Sequence, residues 1–188
     1  MKILYICDWD YTLLWRQVSI QLRKRNIDTA NLALIVGKNF YEQEISTPSF
    51  DRVLLLQEHL EQVDTKGINL ALRLDELQKR YSDQNFWRFV WADRSWVKEK
   101  DDVSLYRIVN CFDFYERLFR EFSPDIILAN AYGSMPHLIC HTVARELGVR
   151  ILRPVHSRMD DYYFFSVDDA EQESWIDDVE ADEVPDSA

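Results

Sequence analysis

The sequence predicts an α/β domain, a parallel sheet flanked by helices, with a helical insertion at about residues 67–100 and a disordered acidic C-terminal tail from residue 168. Three observations carry this expectation. Short apolar runs recur with the length of strands that are buried on both faces. Stretches with apolar residues three and four apart separate them, and such alternation folds as a parallel sheet with right-handed crossovers. Finally, 188 residues can bury one substantial core but cannot hold two full-sized nucleotide-binding domains.

Lys2 to Cys7 (KILYIC) reads as the first strand, and Leu14, Val18 and Leu22 then recur at helical spacing as far as Arg25. Leu32 to Val36 reads as the second strand, ended by Gly37. Arg52 to Leu56 suits either a third strand or a helix start, because periodicity does not decide over so short a run. From Gly67 to Arg94 the pattern is helical, with Leu70, Leu74, Leu77 and Tyr81 on one side, a polar break at Ser82 to Asn85, and then an aromatic run from Phe86 to Trp91. Leu105, Ile108, Val109, Phe112, Tyr115, Phe119 and Phe122 form one long stripe, stopped at Ser123-Pro124. Asp125 to Ala129 is the next strand. Ser134 then suits an N-cap, Pro136 is tolerated in the first turn, and Gly148 supplies the stop. Val149 to Val155 closes the series as the last strand. The domain is thus Rossmann-like over residues 1–167, with 168–188 as the tail.

The formal charge of -11 divides unevenly along the chain. Ten acidic residues and no Lys or Arg lie between Asp168 and Ala188, which leaves 23 acidic against 22 basic residues in the body. Net charge therefore does not indicate a nucleic-acid surface. The tail offers little to bury besides Trp175 and Ile176, and reads as disordered. No stretch approaches the roughly 20 apolar residues of a membrane span, and no leader precedes the first strand, so a cytoplasmic location is expected. Cys7, Cys111 and Cys140 are odd in number and sit in apolar segments, as buried reduced thiols do.

Ligands of open parallel sheets bind beyond the carboxyl ends of the strands, and three loops qualify. In the first, Asp8, Asp10 and Thr12 follow the opening strand as D-x-D-x-T. The motif resembles the opening of haloacid-dehalogenase-type phosphohydrolases. That likeness implies an aspartate nucleophile at Asp8, an acid/base at Asp10 and a Mg²⁺ ion. The later strand ends in Asn130 where that chemistry needs Ser or Thr, and no lysine follows in place. The alternative is a polar loop whose Asp10 favours a helix N-terminus. No glycine-rich phosphate loop is present, and no cofactor is expected. In the second loop, Asn130, Tyr132, Gly133 and Ser134 run into a helix whose first turn carries His137; backbone amides there can hold an anion or a sugar hydroxyl, or Ser134 simply caps the helix. His137 by itself reads as a surface histidine. The third loop gathers His156, Arg158, Asp160, Tyr162 and Tyr163, a mixture that suits sugars or a domain contact.

Two segments carry a further resemblance. Tyr81-Ser82-Asp83-Gln84-Asn85-Phe86-Trp87-Arg88, continuing to Ala92-Asp93-Arg94, resembles a Y-G-x-P-x-L-W-R…A-D-R pattern of the N-terminal halves of capsule and surface polysaccharide biosynthesis proteins. Ser157-Arg158-Met159-Asp160-Asp161-Tyr162 is similar to the S-R-x-x-D-x-Y segment closing the same half. Ser82 and Gln84 depart from the Gly and Pro of that pattern. The resemblance implies a GT-B-like glycosyltransferase half with Trp87, Arg88, Asp93, Arg94, Arg158 and Asp160 marked. It also implies a sugar or glycan acceptor and a separate donor-binding domain or chain, without which the half should be inactive. Arg88 and Asp93 equally suit a structural ion pair. The readings from other classes are the Mg²⁺-dependent phosphohydrolase using Asp8 and Asp10, and a non-catalytic module whose tail binds a basic partner through Trp175.

Overall fold

A computed structural model describes residues 1–8, 11–61, 69–81, 85–92, 101–130, 134–156 and 163–166. The acidic tail and the parts of the insertion at 62–68, 82–84 and 93–100 lie outside them.

The strands are β1 (Lys2–Cys7), β2 (Ala30–Ile35), β3 (Arg52–Leu55), β4 (Ile126–Leu128), β5 (Arg150–His156) and β6 (Tyr163–Ser166). They form one sheet in the order β3-β2-β1-β4-β5-β6. The first five run parallel, as the apolar runs require, with Leu4 opposite both Leu32 and Ile127. β6 was not anticipated. It pairs antiparallel with β5, His156 opposite Tyr163, so the expected third loop is the connection of a hairpin and not an open βα loop.

The helices are α1 (Tyr11–Lys24), α2 (Lys38–Ser46), α3 (Leu56–Glu61), α4 (Leu70–Arg80), α5 (Phe86–Ala92), α6 (Asp101–Phe122) and α7 (Met135–Glu146). Arg52 to Leu56 turns out to be both things at once, a four-residue strand that passes into α3 without a loop. The long stripe is α6, closed by Ser123 in the left-handed region at φ 50° ahead of Pro124. Gly148, at φ 66°, makes the left-handed turn between α7 and β5 that a side chain would strain.

Alternation along β1 assigns the two faces of the sheet. Leu4 and Ile6 point to the side of α3 to α7, where Phe112, Tyr115, Ile139 and Val143 pack. Ile3, Tyr5 and Cys7 point to the side of α1 and α2, around a fully buried Trp15. The Trp15 indole Nε1 donates to the carbonyl of Ile6 at 3.0 Å, pinning α1 to β1. A second tie joins α1 to α2: Arg16 lies 2.5 Å from a wholly buried Glu44, whose other oxygen accepts from the Ser49 amide. On the opposite side, Arg73 and Arg80 of α4 meet Asp113 and Glu116 of α6, fixing the described part of the insertion on the long helix. The three cysteines are free and buried.

Candidate functional site

The strand order reverses direction between β1 and β4: β1, β2 and β3 step outward one way, and β4 and β5 the other. The loops that leave these two strands must diverge, one into α1 on one face and one into α7 on the other, and a crevice opens between them. Asp8 stands at the end of β1 and Asn130 two residues beyond β4.

α1 begins three residues after Asp8, with the Tyr11 amide donating to the Asp8 carbonyl at 3.1 Å. This tight turn buries Thr12 completely in the first helical turn. Across the crevice Ser134 takes the N-cap position of α7, as its sequence suggested, but its hydroxyl does not cap a backbone amide. Instead Ser134 Oγ lies 2.7 Å from His137 Nδ1, while His137 Nε2 lies 3.8 Å from Asp8 Oδ2. A carboxylate facing Nε2 favours the proton on that nitrogen, which leaves Nδ1 to accept from the serine hydroxyl. The row Ser134, His137, Asp8 therefore bridges the two loops through one imidazole.

His137 is 1% exposed, so the expectation of a surface histidine is corrected. The reason is the position of α7: Met135 to Ala144 are all buried, because the sheet lies on one side of the helix and α5 and α6 on the other. His141 and Arg153 extend the same polar seam under α7 and are also buried. Burial, with help from the charges of His137 and Arg153, pushes the His141 pKa down to about 3, so its imidazole is neutral at pH 7. Sequence reasoning missed both residues. A histidine four places after His137 was the available signal for the first; nothing in a strand run marks the second, since Arg in VRILRPV reads as an outward side chain.

Thr12 Oγ1 and Asn130 Oδ1 are buried and find no hydrogen-bond partner among the described residues. A buried polar atom without a partner is costly, and groups of this kind at a crevice suit the hydroxyls of a ligand. The chemistry within reach is the binding of a hydroxylated ligand, with His137 able to take or give a proton through the hydroxyl of Ser134. Of the other expected site residues, Arg88 is exposed on α5, which packs on α6 and α7, and His156 ends β5. Asp10, Asp93, Arg94, Tyr132, Gly133, Arg158 and Asp160 lie outside the described residues. A separate groove of about 620 Å³, lined by Arg80, Tyr81, Glu116, Arg120 and Leu147 among others, opens at the opposite edge, where strands begin.

No protein-family model and no curated protein matches the chain. Among solved structures, a UDP-N-acetylglucosamine 2-epimerase aligns at 11% identity and a TM-score of 0.44, over 81% of this chain and 32% of that one. The UDP-GlcNAc 2-epimerase from Neisseria meningitidis bound to UDP-GlcNAc aligns with the same identity and score, over 31% of its length. This chain thus spans about a third of either enzyme. Likenesses this slight add nothing to what the strand order says by itself. Among the described residues no helix is long and apolar enough to cross a membrane.

Proposed function

We propose that this chain is the acceptor-side half of a GT-B-like glycosyltransferase of surface polysaccharide biosynthesis, cytoplasmic, and inactive without a donor-binding domain or chain. The observation that supports it most is the crevice between β1 and β4, where Thr12 Oγ1 and Asn130 Oδ1 are buried and Asp8, His137 and Ser134 stand in one row. Sugars present several hydroxyls that both donate and accept, and such a row can satisfy them. The polysaccharide setting rests on the W-R…A-D-R and S-R-x-x-D-x-Y resemblances, with Arg88, Asp93, Arg94, Arg158 and Asp160 as the further ligand-binding residues. In this reading Ser134 Oγ takes the proton of the acceptor hydroxyl as it passes its own to His137 Nδ1, with Asp8 stabilising the imidazolium that forms.

Calorimetry against a panel of oligosaccharides and nucleotide sugars tests it. Oligosaccharide binding that weakens at least tenfold in His137→Ala and Asn130→Ala, without turnover of any nucleotide sugar by the chain alone, is the expected result. Binding of no saccharide, or transfer by the isolated chain, contradicts it. Hydrolysis of phosphoesters with Mg²⁺ that is lost in Asp8→Asn would instead select the phosphohydrolase reading.

A further inference from the structure

A serine hydroxyl is a weak nucleophile until a base takes its proton, and the base works best when a carboxylate orients it and offsets the charge it gains. The row in the crevice has these three parts in this order. Ser134 Oγ lies 2.7 Å from His137 Nδ1, and His137 Nε2 lies 3.8 Å from Asp8 Oδ2. Local structure explains how they meet. β4 ends at Leu128 and α7 starts at Met135, so Ser134 stands at a strand-to-helix turn on the edge of the sheet where strands end. His137 follows by three residues on the same helical flank, and β1, the neighbour of β4, delivers Asp8.

Two features set this serine apart from an ordinary cap. A capping serine accepts a hydrogen bond from a first-turn amide, whereas Ser134 Oγ makes no such bond and is engaged with the imidazole. Burial is also graded along the row. Ser134 is half-buried, the Asp8 side chain is 14% exposed, and His137 is 1% exposed. A substrate can therefore reach the hydroxyl while the base stays out of water. The residue after the nucleophile, Met135, opens α7, so its amide has no acceptor within the helix. That donor and the positive end of the α7 dipole favour negative charge developing on a carbonyl oxygen beside Ser134.

We propose that Ser134 is the nucleophile of an ester-hydrolysing site, with His137 as its base and Asp8 as a positioning residue. Ser134 Oγ bonds to the carbonyl carbon of an acyl ester as its proton passes to His137 Nδ1. The bond from that carbon to the alkoxy oxygen then breaks, and the proton leaves with the alcohol. Water attacks the acyl-serine in the same way, its proton moving to Nδ1 and back to Ser134 Oγ as the carboxylic acid departs. The unpartnered oxygens of Thr12 and Asn130 in the crevice suit an ester whose alcohol part carries further hydroxyls. The reaction uses no nucleotide sugar, so the inference does not rest on the glycosyl-transfer reading.

The test treats the full chain with a fluorophosphonate, which forms a serine oxygen–phosphorus bond and releases fluoride, and reads the adduct by intact mass and peptide mapping. One adduct, on Ser134, is expected, absent in Ser134→Ala and formed about a hundredfold more slowly in His137→Ala. Should His137→Ala lose its circular dichroism spectrum, His137→Gln reads the same dependence. Asp8→Asn should slow labelling and move the midpoint of its pH profile to lower pH, because the imidazolium loses its carboxylate. His141 and Arg153, the other titratable and charged residues of that seam, stay in every variant. No adduct at Ser134, or one formed as fast in a folded His137 variant, overturns the proposal. Saccharide binding that persists without labelling overturns this inference alone, and labelling without saccharide binding overturns only the sugar reading.

Discussion

His141 gives the seam under α7 a signature that can be read in solution. Its folded pKa of about 3 lies below the ordinary 6.5. Between these values the unfolded chain binds a proton that the native chain refuses, so acid favours unfolding across that window. For this one group the native state should lose stability steadily as pH falls from 6.5 toward 3. The stability is fully present above pH 6.5. Urea midpoints at pH 7.5 and 5.0 check the slope, and nitrogen shifts of the imidazole check the cause: they should stay those of a neutral ring at pH 5. Titration near 6.5 would contradict the account. At the neighbouring His137, the wild type should show the proton on Nε2, held by the Asp8 carboxylate, and Asp8→Ala should leave mixed tautomers. The same nitrogen spectra decide it. None of this was legible in the sequence beyond Asp8, Ser134 and His137 as isolated candidates, because which histidines are buried depends on what α5 and α6 lay over α7.

Helix α1 shows how pairs of charges differ in worth. Glu44 is wholly buried and Arg16 is 13% exposed at the side chain, whereas the Lys79–Asp75 pair on α4 is more than half exposed at both ends. Removing one partner of a buried pair leaves a stranded charge, so Glu44→Ala should cost about 3 kcal/mol in chemical denaturation. Asp75→Ala should cost less than about 0.5 kcal/mol. Equal losses would show that Glu44 is hydrated after all. Trp15→Ala should cost about 4 kcal/mol, since it empties the centre of the core on that face and strips the Ile6 carbonyl of its donor. Legibility at this scale followed the strength of periodicity. The stripe of α6 and the run of β1 were plain. α2 was not expected, because Lys38 to Ser46 holds few apolar residues and buries only Glu44. β3 and α3 share one apolar run, so neither period could be seen alone. β6 hid within a segment whose aromatic residues read as ligand contacts.

For the molecule as a whole, the decisive sequence-level expectation was that the first run and the run near residue 125 lie side by side and point the same way. They do: Ile3 pairs with Ile126 and Tyr5 with Leu128 in a parallel ladder. Sequence alternation foretold this because βαβ units are right-handed and short-looped, which leaves few topologies. What it could not foretell is how deeply each strand is buried, since a half-buried strand and a buried one carry the same apolar letters. The central claim, that the crevice between β1 and β4 is where a sugar binds, is tested most directly by amide shifts of the full chain during titration with oligosaccharides. Changes clustered at Asp8, Thr12, Asn130, Ser134 and His137 are the expected outcome. Changes confined to the Arg80–Arg120 groove or the α1 flank, or no changes with any saccharide, would contradict it.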